Sequence, residues 1–352
     1  VFSEMSICGY PARDFVEFND FIDKCYCCID IIKEHADTIG VLVGSPARNS
    51  IKHGKDLFNA AFFLYEKQIK AEVHKTLLPT YDVFDEYRYF EPAYEWKVIE
   101  FKNKKLAVTI CEDIWNLGDN PLYRICPMDA LIDQNPDLMI NLSASPFDYT
   151  HDEGRKAVVK SNVLKYKLPM FYCNAVGSQT EIVFDGASLV FDKDGNLCKS
   201  LPMFEEASVT VTLNNDGSIG VAIVEPASPV PDSDRTPTSL EEHLNIGQVY
   251  SALVLGIRDY FSKMGFKKAI LGSSGGIDSA VTLALACDAL GKENVRAVLM
   301  PSPYSTEHSV DDAVQLSKNL DNPYDIIRID GIYQSFIETL KTVYKNRPWY
   351  FT

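Results

Sequence analysis

Between Glu225 and Thr238 the chain carries Pro226, Pro229, Pro231 and Pro237 among serines and aspartates. A segment this short of apolar side chains and backbone donors has nothing to bury and favours extended chain. It divides the sequence into two folding regions, predicted as residues 1–224 and 244–352, with a linker over 225–243. The length agrees, since 352 residues exceed one ordinary domain.

The pattern differs on the two sides of that segment. Before it, short β-rich runs alternate with amphipathic stretches. Strands are predicted over Thr38 to Gly44, Leu106 to Ile110, Leu138 to Leu142 and Met170 to Cys173, with a helix over Arg155 to Lys167. Phe58 to Tyr65 and Gln68 to Lys75 read as a hairpin closed near Glu66-Lys67. Ile182 to Asp192 and Ser208 to Thr212 add further strands, with Asp194-Gly195 as a tight turn. This mixture predicts layered α/β structure with mixed sheets. After the segment come a helix over Asn245 to Met264, a strand over Ala269 to Gly272, a helix over Ser279 to Leu290, a strand over Arg296 to Met300 and a helix over Asp311 to Asn319. That order is the start of a doubly wound parallel sheet.

Charge and cysteine usage exclude several function classes. The net charge is −15 and no Lys/Arg block occurs, which argues against a nucleic-acid partner. No apolar run is long enough to span a bilayer, so no membrane partner is expected. The nine cysteines are odd in number and irregularly spaced. Cys25, Cys27 and Cys28 have no CxxC downstream, which argues against zinc, and they sit in the amphipathic stretch Phe21 to Ile32, where Cys serves as a small core hydrophobe. This usage fits a reducing, cytoplasmic setting. The chain begins at Val1 without a signal-peptide pattern, and an upstream targeting segment is left open.

Cys111 directly follows the apolar run Leu106 to Ile110, in Thr109-Ile-Cys-Glu-Asp-Ile-Trp115. A thiol where a buried strand enters a turn is held rigidly enough to act as a nucleophile; the plain alternative is a buried structural cysteine. Lys75 ends a predicted strand before Leu77-Leu-Pro-Thr-Tyr-Asp-Val-Phe-Asp-Glu-Tyr-Arg-Tyr-Phe90, and Glu4 stands at a predicted strand end in Phe2-Ser-Glu-Met-Ser-Ile-Cys-Gly-Tyr-Pro11. Either alone is ordinarily a solvated cap. Together they supply what carboxamide hydrolysis needs: a base, a nucleophile and a cation for the oxyanion.

On these motifs the first two-thirds of the chain resembles the nitrilase family of carbon–nitrogen hydrolases, whose triad is Glu-Lys-Cys. The resemblance implies a four-layer αββα sandwich, with Glu4 as general base, Lys75 at the tetrahedral intermediate and Cys111 forming a thioester. Glu86 matches the second glutamate that many members place beside the lysine; its plain alternative is a surface salt bridge to Arg88. The run from Leu78 to Phe90 is similar to the glutaminase domain of glutamine-dependent NAD synthetases. That likeness implies Tyr81, Phe84, Glu112 and Ser145 as glutamine-holding residues, with Glu112 pairing with the α-ammonium.

In the second region Gly272-Ser-Ser-Gly-Gly-Ile-Asp-Ser279 joins a predicted strand to a helix. Small residues let backbone approach a phosphate, and a new helix offers unpaired N–H groups. The string lacks the Gly-Lys-[Ser/Thr] ending of a Walker loop. It resembles the PP-loop of the ATP pyrophosphatases, an adenine nucleotide alpha hydrolase-like doubly wound α/β domain. The resemblance implies that Ser273, Ser274, Gly275, Gly276, Ile277 and Ser279 hold ATP phosphates, that Asp278 binds Mg²⁺, and that Val298 to Met300 face the adenine, Met300 at its end. Asn346 to Thr352 matches loosely, just before the family's next motif.

The two resemblances in this order imply a ligase. It would hydrolyse glutamine to ammonia and use ATP to amidate nicotinic acid adenine dinucleotide to NAD, as a homo-oligomer. Two other classes compete: a stand-alone amidase with a degenerate ATP-binding appendage, and a non-catalytic dinucleotide-binding or scaffold protein. The last requires both motifs to be accidental.

Overall fold

The computed structural model describes residues 1–51, 53–117, 123–149, 151–214, 216–226 and 246–344. The chain separates into two compact units, Val1–Gln248 and Val249–Thr352.

In the first unit, helix α1 (Asn19–His35) precedes strands β1 (Val41–Arg48), β2 (Leu57–Tyr65) and β3 (Gln68–His74), which form an antiparallel sheet in that order. Glu66 and Lys67 both have positive φ, 51° and 56°, as a two-residue hairpin turn twisted to match its strands requires. The short helix α2 (Glu86–Tyr89) follows, then β4 (Ile99–Phe101), β5 (Lys104–Ile110), α3 (Pro127–Ile132), β6 (Leu138–Ser143), α4 (His151–Tyr166) and β7 (Met170–Asn174). Hairpin β8 (Val176–Gln179) and β9 (Ile182–Asp185) comes next, then β10 (Leu189–Phe191), β11 (Leu197–Ser200), and the ribbon β12 (Ala207–Leu213) with β13 (Ile219–Pro226). The main sheet has the order β11-β10-β7-β6-β5-β4, with β5, β6 and β7 parallel.

The side-chain alternation of the strands sets the layer order. Phe58, Phe62 and Leu64 of β2 pack with Ile29 of α1. Their neighbours Ala61 and Phe63 face the other way, against Val108, Ile110, Ile140 and Leu142 of the main sheet. The far face of that sheet, with Ala107, Met139 and Met170, packs on Met128 and Leu131 of α3 and on Val159 and Val163 of α4. The sequence is helix, sheet, sheet, helices. Strand β2 is apolar along both faces because it lies between two layers. Full burial of a side chain such as Phe62 contributes on the order of 2–3 kcal/mol.

Several sequence-based expectations are corrected. The strand predicted over 182–192 is two strands, because Gly186 (φ 72°) and Ala187 (φ 49°) turn the chain from the hairpin into the main sheet. Cys25 is buried on α1 with Ile22 and Ile29, but Cys27 and Cys28 are exposed, since helical phase carries them off that face. Glu225 and Pro226 are the last residues of β13, paired with Ser208 and Ala207, rather than linker. The remainder of the predicted linker lies outside the described residues, apart from the boundary at 226; so does the match over 346–352.

The second unit contains α5 (Ile246–Met264, its first residues in the boundary region), β14 (Ala269–Gly272), α6 (Ile277–Leu290), β15 (Val295–Leu299), α7 (Glu307–Leu320), β16 (Tyr324–Ile326) and α8 (Asp330–Tyr344). Strands β14, β15 and β16 are parallel, in chain order. Leu283 and Cys287 of α6 and Ala313 of α7 pack on Val295, Ala297 and Leu299. No helix among the described residues is long and apolar enough to cross a membrane.

Candidate active sites

Glu4 does not lie at a strand end; it sits in a turn beside β1. The Phe2 N–H donates to the Leu42 carbonyl at 2.9 Å and the Ile7 N–H to the Gly44 carbonyl at 3.2 Å. This approach depends on Gly44. A Cβ there would stand 2.4 Å from the Met5 nitrogen and 2.5 Å from the Ser3 carbonyl oxygen. Lys75 follows β3 and Cys111 follows β5, while Glu86 opens α2.

The structure brings Glu4, Lys75 and Glu86 into one buried cluster. Lys75 Nζ donates to Glu4 Oε1 at 2.8 Å and to Glu86 Oε1 at 2.6 Å, and its side chain is wholly inaccessible. Asn59 Nδ2 donates to Glu4 Oε1 at 2.6 Å and Glu86 Oε2 at 3.2 Å. The Tyr10 hydroxyl donates to Glu86 Oε1 at 2.8 Å, and the Ala144 N–H to Glu4 Oε2 at 3.0 Å. Glu86 is therefore not a partner of Arg88, which pairs instead with Asp14 at 3.3 Å. A cavity of about 380 Å³ reaches this cluster at Glu86, lined also by Met5, Tyr10 and Phe84.

Electrostatics explain the division of charge. Burial works against the Lys75 ammonium, but Glu4 and Glu86 outweigh it and hold Lys75 well above the usual lysine range. Burial pushes Glu86 up to about 7, with Lys75 pulling against it and Glu4 adding to it. Cys111 lies within the field of the same groups: burial and then Glu4 hold its thiol well above the usual range, with Lys75 opposing. A thiol so placed stays protonated at rest and needs a base to become a nucleophile. Its backbone is left-handed, with φ 41°.

Among the glutamine candidates, the Tyr81 hydroxyl donates to Glu112 at 3.0 Å, and its ring stands 5.5 Å from that of Phe84. Glu112 is buried and also accepts from the Tyr123 hydroxyl at 2.9 Å. Ser145 is buried, its N–H donating to Asn174 Oδ1 at 2.9 Å; the cluster itself is met by the preceding residue, Ala144.

Sequence reasoning missed Asn59, Tyr10, Tyr123 and Asp113. For Asn59 a signal existed, as an uncharged polar residue inside the apolar run of β2. A buried amide in such a run needs partners, and the carboxylates of Glu4 and Glu86 are those partners.

In the second unit the loop from Ser273 to Ser279 joins β14 to α6. The Ser273 N–H donates to the Val298 carbonyl at 3.0 Å, while its buried Oγ has no partner among the described residues. Ser274 and Ser279 hydroxyls are 3.1 Å apart, and the Gly276 N–H donates to Ser274 Oγ at 3.2 Å, so this N–H is turned into the loop rather than outward. Gly276, Ile277 and Asp278 are exposed. Asp278 does not cap α6, since the cap position belongs to Gly276 and carries no side-chain bond. At Gly275 (φ 85°) a Cβ would lie 2.1 Å from the Ser309 carbonyl oxygen, so this glycine admits the first turn of α7. Leu299 is buried in the core, which leaves Met300 exposed beyond the end of β15, with Gly272 beside its terminal methyl.

The family model for carbon–nitrogen hydrolases matches residues 1–219, more than half of the chain, and the chain belongs to that family. A second family model, NAD synthase, matches residues 249–347. The chain is similar to the glutamine-dependent NAD(+) synthetase of Synechocystis sp., at 37% identity over 98% of this chain and 61% of that protein. It is likewise similar to that of Thermotoga maritima, at 36% identity over 99% of this chain and 62% of that protein. The structure of glutamine-dependent NAD+ synthetase from Acinetobacter baumannii in complex with ADP superposes with a TM-score of 0.83, at 31% identity, over 99% of this chain and 61% of that one. The chain thus spans about three-fifths of the length of these relatives.

Proposed function

We propose that this chain supplies the glutamine-hydrolysing part and the opening of the ATP-using part of a glutamine-dependent NAD synthetase. The observation that carries the reading is the buried Lys75 ammonium held between Glu4 and Glu86, with the buried Cys111 thiol inside the field of all three groups. Glu4 takes the thiol proton as Cys111 Sγ attacks the carboxamide carbon of glutamine. The Lys75 ammonium faces the developing oxyanion, where a preorganised charge stabilises the transition state more than the ground state. Glu4 returns the proton to the departing nitrogen, ammonia leaves, and water cleaves the thioester to free glutamate and the thiol. Glu112, steadied by Tyr81 and Tyr123, is the anionic partner for the α-ammonium of glutamine. Tyr81, Phe84 and Ser145 complete the glutamine-holding set.

In the second unit, Ser273 to Ser279 and Met300 hold ATP, and the nicotinate carboxylate of nicotinic acid adenine dinucleotide is activated there for capture by ammonia. The exposed Asp278 carboxylate, engaged in no hydrogen bond among the described residues, would hold a magnesium ion. Such an ion would supply charge neutralisation at the ATP phosphates.

A pair of variants of the intact protein tests this division of labour. Cys111→Ala is expected to abolish glutamine-dependent NAD formation and spare ammonia-dependent formation. Asp278→Asn is expected to lose most synthesis from either nitrogen source while glutamine hydrolysis continues. Loss of both half-reactions in a folded Cys111→Ala protein would refute the assignment.

A further inference from the structure

The carboxylate of Asp113, two residues beyond Cys111, is buried at 2% exposure and accepts three backbone hydrogen bonds. Oδ2 accepts from the Ile110 N–H at 3.0 Å, immediately before Cys111. Oδ1 accepts from the N–H groups of Thr76 and Leu77, both at 2.9 Å, immediately after Lys75. One side chain thus bridges the residue preceding the thiol and the residues following the ammonium.

A local role accounts for only part of this. Capping the turn Cys111–Ile114 uses the Ile110 bond alone. The other two bonds reach a segment 36 and 37 residues away in sequence and do nothing for that turn. They complete a set of restraints on the Lys75 peptide, whose N–H donates to the Asn59 carbonyl at 2.8 Å and whose carbonyl accepts from the Ala93 N–H at 3.0 Å. On the other side, Cys111 is held at φ 41°, a conformation a non-glycine residue keeps only when its surroundings impose it.

We infer that Asp113 is a positioning residue that clamps the Cys111 turn to the Lys75 strand end and so fixes the thiol against the ammonium. This inference rests on the glutaminase reading of the site. Both oxygens are in use as acceptors, so an amide is a poor substitute: Asn offers one oxygen, and its NH₂ would face a backbone N–H. Misplacement of reacting groups by about 1 Å can cost on the order of 100-fold in rate.

The test compares wild type, Asp113→Asn and Asp113→Ala in the intact protein, at a temperature where circular dichroism shows folded protein. Three quantities are read: kcat and KM for glutamine hydrolysis, the rate of Cys111 alkylation by iodoacetamide, and ammonia-dependent synthesis. The expected result is a kcat lowered by roughly 30-fold or more with KM within about threefold, slower alkylation of Cys111, and ammonia-dependent synthesis retained. A lowered melting temperature with kcat and alkylation unchanged would overturn the inference, as would a failure of both variants to fold, since the carboxylate would then hold the fold rather than the geometry. If wild type shows no Cys111-dependent glutamine hydrolysis, the proposed function fails, and the alkylation rates alone decide the clamp.

Discussion

At the scale of single residues, the cluster around Lys75 is a set of charges that cannot be thinned safely. Two carboxylates share one ammonium and one amide, all buried. Removing one partner of a buried ion pair costs more than the pair contributes, because the remaining charge is left uncompensated. Lys75→Met is therefore expected to destabilise the first unit by about 3–5 kcal/mol, and adding Glu86→Gln to recover part of that loss. Denaturant unfolding of the two variants checks it; a Lys75→Met protein as stable as wild type would contradict the charge assignment. Glu4, Lys75 and Cys111 stand out as candidates in the sequence because each lies in a recognisable local motif. Asn59 stood out only as a polar residue in an apolar strand, and Tyr10 not at all; their partners lie 55 and 76 residues away, and nothing in the local sequence names them. Asp113 was in plain view two residues after Cys111, but two of its three bonds run to the segment that follows β3, 36 and 37 residues away.

At the scale of elements, periodicity identified most strands and helices, and turn chemistry identified the β2–β3 hairpin. Where two strands meet at a corner, as at Gly186 and Ala187, an unbroken apolar pattern concealed the change of sheet. The glycines of the β14–α6 loop were read as making room for phosphate. The structure gives Gly275 a task besides that one, admitting the backbone of α7. Gly275→Ala is expected to combine a strained φ with a backbone collision and to destabilise the second unit by about 2 kcal/mol or more. Gly276→Ala, with φ −84° and its nearest new contact 3.4 Å away at Ser274 Oγ, should change stability by less than about 1 kcal/mol. Unfolding curves of the two variants, followed by helix signal, distinguish the roles; equal stabilities would show that α7 yields.

At the scale of the whole molecule, the two kinds of α/β pattern were legible in the sequence. The pairing of layers was less so, since which face of β2 meets α1 and which meets the main sheet is decided by packing between segments far apart in sequence. Gly44 shows what such packing demands. It carries no chemistry, yet its bare Cα is what lets the turn bearing Glu4 lie against β1. Consider a library in which every position of the intact protein is varied and growth depends on glutamine as the nitrogen donor. Position 44 is expected to return glycine alone, indistinguishable from Cys111 in its intolerance. Supplying ammonia instead should restore many of those lost variants, and failure to restore them would mean that the glycine serves folding rather than placement. An intolerance map drawn under one condition would thus count as catalytic a residue whose only contribution is empty space.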